Sequence, residues 1–276
     1  MCRWLAYRGS PVRLDDLLLK PTHSLIDQSL HSKMGATTTN GDGFGIGWYG
    51  DRSLPGVFHS TDPAWNDRNL KEIAQHLVSP LVFAHVRAST GGAVQQSNCH
   101  PFRFEHWLWM HNGLIRDFAN VKREIAMAID PSLFAEIEGS TDSEYFFYLA
   151  LSMGLRDDPV AAVERAVWFI EETGRRNGVM YPIQMTVATT DGAKVWVFRY
   201  SSEGRSRTLF YSTDVATMRE QYPDNPMLHS TAEDTRLVVS EPFGSLEGAW
   251  NEVPESTYGI IQAGDHVLAP FKPRAA

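Results

Sequence analysis

Residues 183–200 read IQMTVATTDGAKVWVFRY. Two runs rich in β-branched and aromatic residues, Ile183 to Thr189 and Val195 to Tyr200, flank the turn dipeptide Asp191-Gly192. In the second run Val195 and Val197 alternate with Trp196 and Phe198, so the period is two while both faces are apolar. Strands of that kind are covered on both sides. The hairpin therefore predicts a layered body in which this sheet is an inner layer.

Upstream, two stretches have helical spacing. Thr141 to Met153 opens with Thr141-x-x-Glu144, a capping-box pattern. Pro159 to Thr173 places Val160, Val163, Val167 and Ile170 on one face. Earlier still, Arg3 to Tyr7, Leu81 to Val86 and Trp107 to Met110 read as strands, Asp15 to Lys20 as a helical turn or two, and Asn66 to Leu77 as a helix. Asn112-Gly113 reads as a turn. Downstream, Thr208 to Ser212, Leu237 to Ser240 and Tyr258 to Ile261 read as strands, and Gln221 to Ser230 as a surface loop. The order predicts an α/β or α+β body with no linker, a single domain over 1–276.

Composition narrows the class. A chain of 276 residues buries about 75% of its unfolded surface and needs no staples. Hydrophobic residues at 43% and charged residues at 21% are those of a globular protein. Lys plus Arg is 25 against 33 for Asp plus Glu, a net charge of −8, which argues against nucleic-acid partners and against an anionic membrane surface. Two cysteines exclude a disulfide scaffold and a Cys-rich zinc module. No apolar run reaches the ~18 residues of a membrane span, and charges from Arg3 to Asp16 interrupt any signal-peptide core, so the expected location is cytoplasmic.

Four segments could carry chemistry. Removal of Met1 would leave Cys2 as an amino-terminal residue holding a thiol and its own base, with ordinary pKa values of about 8.5 and about 7.7–8.0. Arg87, followed by Ser89 and Thr90, suits capture of a carboxylate; alone it reads equally as a surface ion pair. Asn112 beside the Gly113 N–H would make a two-donor oxyanion hole, or a plain hairpin turn. Asp142, at the first helical position if Thr141 caps, would bind an ammonium group or complement the helix dipole. His100, His106 and His111 read as structural or surface histidines, and Cys99 as a buried small hydrophobe. Asp42-Gly43-Phe44-Gly45 lacks the lysine of a phosphate loop and reads as a glycine-rich strand and loop.

The order of these segments resembles the class II glutamine amidotransferases: Cys2, a glycine-rich loop, His85-x-Arg87-x-x-Thr90, His111-Asn112-Gly113, then Ser140-Thr141-Asp142-Ser143-Glu144. The short chain and Leu237 to Pro242 look like the stand-alone bacterial subgroup, near the ergothioneine-pathway γ-glutamyl amidohydrolases. The resemblance implies an α+β fold, the four-layer αββα sandwich of N-terminal-nucleophile hydrolases. It also implies hydrolysis of the side-chain amide of glutamine, or of a related γ-glutamyl amide. Cys2 would be the nucleophile and Asn112 with Gly113 the oxyanion hole. Arg87 would hold the substrate α-carboxylate and Asp142 its ammonium group, with Thr90 among the binding residues. No metal or other cofactor is implied. Two departures lie where substrate or partner contacts would differ: Arg3-Trp4-Leu5-Ala6 after the nucleophile, and Ala88-Ser89-Thr90-Gly91 after Arg87.

No phosphate-binding Gly-x-x-x-x-Gly-Lys loop follows, so ammonia would pass to a separate synthetase subunit, or the chain would simply hydrolyse its substrate. Two alternatives remain open: an N-terminal-cysteine hydrolase of another amide, as in the choloylglycine hydrolases, and a non-catalytic or partner-activated glutaminase subunit.

Overall fold

The computed structural model describes residues 2–34, 38–89, 92–262 and 265–275. The first strand, β1, covers Arg3–Arg13, longer than the sequence pattern suggests. After it come helices α1 (Leu14–Leu18) and α2 (Leu25–His31), the hairpin β2 (Phe44–Trp48) and β3 (Gly56–Ser60), helix α3 (Arg68–His76) and strand β4 (Val78–Val86). Strands β5 (Phe102–Phe104) and β6 (Trp107–Ile115) precede helices α4 (Phe118–Ala128), α5 (Pro131–Phe134), α6 (Asp142–Ser152) and α7 (Pro159–Arg176). The last part holds β7 (Ile183–Thr190), β8 (Val195–Ser201), β9 (Phe210–Ser212), α8 (Val215–Gln221), α9 (Pro226–Ser230), β10 (Arg236–Val239), β11 (Trp250–Glu252), β12 (Thr257–Gln262) and β13 (Asp265–Pro270).

The strands form two antiparallel sheets, β11-β9-β10-β1-β4-β2-β3 and β13-β12-β8-β7-β6-β5. Side-chain alternation explains how they stack. In β1, Leu5 and Tyr7 pack outward against Leu14, Leu18, Leu25 and Leu70 of α1 to α3. Trp4 and Ala6 face the other sheet, where they meet Leu108, Met110, Ala188 and Val197. In β6, Trp109 points the other way, onto Phe146 and Phe147 of α6. Val163, Val167 and Ile170 of α7 join that outer core. The result is the αββα sandwich, and Val195 to Tyr200 is apolar on both faces because both are covered. Among the described residues no helix is long and apolar enough to cross a membrane.

The structure corrects two local expectations. Asn112-Gly113 is not a turn; β6 runs straight through it. A Cβ at Gly113 would collide with the Gln184 carbonyl oxygen of the paired strand, so glycine is required there for close approach. The stretch Gln221 to Ser230 is not only loop: it contains the end of α8 and α9, whose amides are capped by the Asn225 side chain.

Alternation puts Arg3 on the outer face of β1, where a lone charge would be costly. Its Nε bonds Glu241 at 2.6 Å, and both side chains are 2% exposed. Glu241 also accepts from His23 Nε2 at 2.6 Å, Ser32 Oγ at 3.1 Å and the amides of Lys33 and Met34 at 2.9 and 3.1 Å. Burial pushes its pKa up, but the Lys33 amide, His23 and Arg3 outweigh this and hold it below the ordinary value. Replacing Glu241→Ala strands a buried guanidinium and is expected to cost about 3–5 kcal/mol in urea unfolding. A loss below about 1 kcal/mol would show that the pair does not hold the fold.

Candidate active site

Register sets the site. Arg3 faces Val86 across the β1–β4 pair, so one step back Cys2 faces Arg87. On the far edge of β4 the Arg87 amide donates to Gly43 O at 2.8 Å, and Asp42 N donates to Arg87 O at 3.0 Å. The glycine-rich segment is thus strand and loop beside Arg87, as its sequence suggests. The Ala88 amide donates to Cys2 Sγ at 3.4 Å, and the thiol lies 3.5 Å from Ala88 O. From the opposite sheet Asn112 Nδ2 donates to Cys2 O at 2.9 Å, and Arg3 Nη1 reaches the same oxygen at 2.9 Å. Trp4 Nε1 adds a second link between the sheets by donating to Thr186 Oγ1 at 3.3 Å. Burial pushes the Cys2 thiol pKa up, while the Ala88 amide and the guanidinium groups of Arg87 and Arg3 pull against it.

Arg87 is 5% exposed, yet among the described residues its guanidinium has only long contacts, 3.4 Å to Asp42 O and 3.4 Å to Ser89 Oγ. Among the described residues no carboxylate pairs with it. A buried cation with open donors is a receptor for an anion. Thr90 lies outside the described residues.

The amides of β6 alternate between its two edges. Arg116 N bonds Pro182 O on the β7 side at 2.8 Å, and Ile115 N points to the opposite edge, where it donates to Asp142 Oδ2 at 2.7 Å. The Gly113 N–H shares that opposite edge, and β5 covers it only from Trp107 to Trp109. Asn112 also has a second side-chain N–H. Asp142 is the first residue of α6, with the Thr141 hydroxyl capping Glu144 N. No Lys, Arg or His pairs with Asp142 among the described residues.

The contacts of Glu144, His85 and Glu241 escaped the sequence reading, whereas His100 and Cys99 are buried as it expects. Glu144 does not close the capping box on Thr141; its carboxylate accepts from the amides of Glu138 and Gly139 at 2.9 and 2.8 Å. Burial pushes its pKa up to about 7. The buried rings of His85 and His100 lie 4.3 Å apart between centroids, tilted by 34°, their nitrogens without partners among the described residues. Glu241 lies inside the quoted Leu237 to Pro242 segment, yet nothing local ties it to Arg3. Cys99 is buried and, like Cys2, free.

The family described as glutamine amidotransferases class-II matches residues 18–269. The chain belongs to the class II glutamine amidotransferases. A probable glutamine amidotransferase of Saccharomyces cerevisiae, DUG3, is 33% identical over 98% of this chain and 84% of its own. The γ-glutamyl-hercynylcysteine sulfoxide hydrolase of Mycolicibacterium smegmatis is 32% identical over 82% and 90%. Among solved structures, a glutamine aminotransferase class-II domain protein from Silicibacter pomeroyi superposes with a TM-score of 0.75 at 30% identity, covering 99% of both chains. Arg87, Asn112, Gly113 and Asp142 lie inside the span matched to the amidotransferase family; Cys2 lies ahead of it.

The buried histidines give a pH dependence. Burial and then Arg87 push the His85 pKa down to about 3; burial and His85 drive that of His100 well below its ordinary value. The unfolded chain therefore takes up protons that the folded chain refuses. The stability these rings support is full above pH 6.5 and is lost as pH falls below it, by about 1.4 kcal/mol per pH unit for each ring. Glu144 acts oppositely: its contribution is full below about pH 4.5 and is lost as pH rises through about 7. Urea unfolding between pH 6 and 4.5 is expected to show His85→Leu with a slope against pH shallower by about 1.4 kcal/mol per unit. An unchanged slope would mean that His85 titrates normally in the fold.

Proposed function

We propose that the protein hydrolyses the γ-amide of glutamine, or of a related γ-glutamyl amide, through a thioester on Cys2. The observation that carries this reading is the register that sets the Cys2 thiol opposite a buried Arg87, which has no carboxylate partner among the described residues. Once Met1 is removed, the Cys2 α-amine takes the thiol proton. The thiolate attacks the amide carbonyl, and the oxyanion rests on Asn112 Nδ2 and the Gly113 N–H. The resulting α-ammonium gives its proton to the leaving nitrogen, the C–N bond breaks, and a γ-glutamyl thioester remains. Water then attacks, the amine takes its proton, and the C–S bond breaks to release glutamate and restore the thiol.

In this scheme Arg87 binds the substrate α-carboxylate and Asp142 the α-ammonium group, a complementary pair for an amino-acid zwitterion. That pairing favours a γ-glutamyl substrate over the bile-salt amides of the choloylglycine hydrolases. The hydrolase relative extends the substrate class from glutamine to γ-glutamyl conjugates. Ammonia or amine is released to solvent, or to a separate synthetase subunit. A free thiol nucleophile suits a reducing, cytoplasmic setting.

Glutamate release from L-glutamine, on protein whose intact mass shows Met1 removed, tests the reading. Cys2→Ala is expected to abolish turnover while keeping the circular dichroism spectrum; residual activity at the wild-type level would overturn the nucleophile. Arg87→Ala is expected to raise KM for L-glutamine about ten-fold or more, with a smaller effect on kcat. An unchanged KM would remove Arg87 from the binding site. Asn112→Ala is expected to lower kcat by about 10²–10³-fold, and a loss below about three-fold would remove it from the oxyanion hole.

A further inference from the structure

Cys2 has an arginine on each side. Strand β10 lies between β1 and β9, opposite the β4 edge that supplies Arg87. Leu5 faces Val239 across β1 and β10, and Val239 faces Phe210 across β10 and β9. Both registers continue toward the site. The Ser240 amide donates to Trp4 O at 3.1 Å, and Arg3 reaches Glu241. The Thr208 hydroxyl donates to Ser240 O at 2.9 Å, so the chain ahead of β9 stays beside β10. Counted back in step, Cys2, Pro242 and Arg207 fall on one line across three strands. At about 4.8 Å per strand, Arg87 stands about 5 Å to one side of the Cys2 backbone and Arg207 about 10 Å to the other.

The two arginines also share a face. Leu209 and Tyr211 point into the layer between the sheets with Trp4 and Phe83, and the same alternation turns Arg207 toward that layer. There burial, then Arg3 and Arg116, push the Arg207 pKa below its ordinary value, and Cys2 pulls against them. Its Nε is buried and has no hydrogen-bond partner among the described residues. Glu203 is paired with Arg116 at 3.0 Å, and Glu255 Oε2 accepts from the Ser206 hydroxyl and lies 3.7 Å from Arg199, while Glu255 Oε1 is buried without a hydrogen-bond partner among the described residues and forms no ion pair with Arg207. No ion pair forms at Arg207 among the described residues. A half-buried guanidinium with an unpartnered Nε, on the Cys2 side of the layer and beside other cations, suits an anion from outside the chain.

We propose that Arg207 is the subsite for a carboxylate carried by the leaving amine, so that the preferred substrates are γ-glutamyl amides of amino acids or peptides and not free glutamine. The proposal rests on the hydrolase reading above. With the glutamyl half held on the Arg87 side of Cys2, the leaving amine departs on the opposite side, toward Arg207. An α-amino acid as leaving group places its carboxylate one carbon beyond the scissile nitrogen. Free glutamine offers nothing to this subsite.

The test compares γ-L-glutamylglycine with γ-L-glutamylethylamine, which are alike up to the carboxylate on the leaving amine. In Met1-free wild-type protein, kcat/KM is expected to favour γ-L-glutamylglycine by about ten-fold or more. In Arg207→Gln that ratio is expected to fall about ten-fold, and Arg207→Lys should restore part of it. A purely structural role would lower both substrates together and leave the ratio in place. A wild-type ratio near one, or a ratio unchanged within two-fold in Arg207→Gln, overturns the subsite while leaving the hydrolase intact. Cleavage of neither amide, nor of L-glutamine, overturns the hydrolase reading and the subsite with it.

Discussion

Strand β1 is hydrogen-bonded along both edges, to β4 on one side and β10 on the other. Its first residues set Cys2 against Arg87 and Ala88 on one side and Asn112 on the other. A strand paired on both edges cannot slip, because a shift of one residue would turn Trp4 and Ala6 out of the inner layer and Arg3 into it. Arg3 to Tyr7 are thereby held in the packed interior, and Cys2 beside them. Asn112 and Arg3 then fix the Cys2 carbonyl from two directions.

Charge is arranged around this strand in two different ways. Arg3, on the outer face, meets a carboxylate whose acceptors are filled by side-chain and backbone donors, so the pair is structural. Arg87 and Arg207, in line with Cys2 on the inner face, meet no carboxylate of the described chain. Residues one position apart on a strand point to opposite faces, so Arg3 serves the fold while its neighbour Cys2 faces the site. The same division holds on β6, where Trp109 packs on α6 and Asn112 faces the other sheet.

Much of the fold was legible. The two-faced apolar run from Val195 to Tyr200 predicts a doubly covered sheet, and the Thr141 cap fixes the start of α6 and so the place of Asp142. Asn112-Gly113 misled because the dipeptide favours turns; here the glycine serves close approach to Gln184 inside a strand. Glu144 fits the capping-box spacing, but its carboxylate is taken by the Glu138 and Gly139 amides, which lie before the cap.

The sequence by itself determined what neighbours within a few residues can decide: strand period, helix caps, and the residue types able to act as nucleophile, oxyanion donors and zwitterion receptors. Their order along the chain was enough to point to the amidotransferase class. Only the tertiary structure decided which of them meet. Ala88 reaches Cys2 across 86 positions and Glu241 reaches Arg3 across 238. Those meetings, and the line from Arg87 through Cys2 to Arg207, are fixed by strand register, and register is set by core packing between elements that no local pattern records.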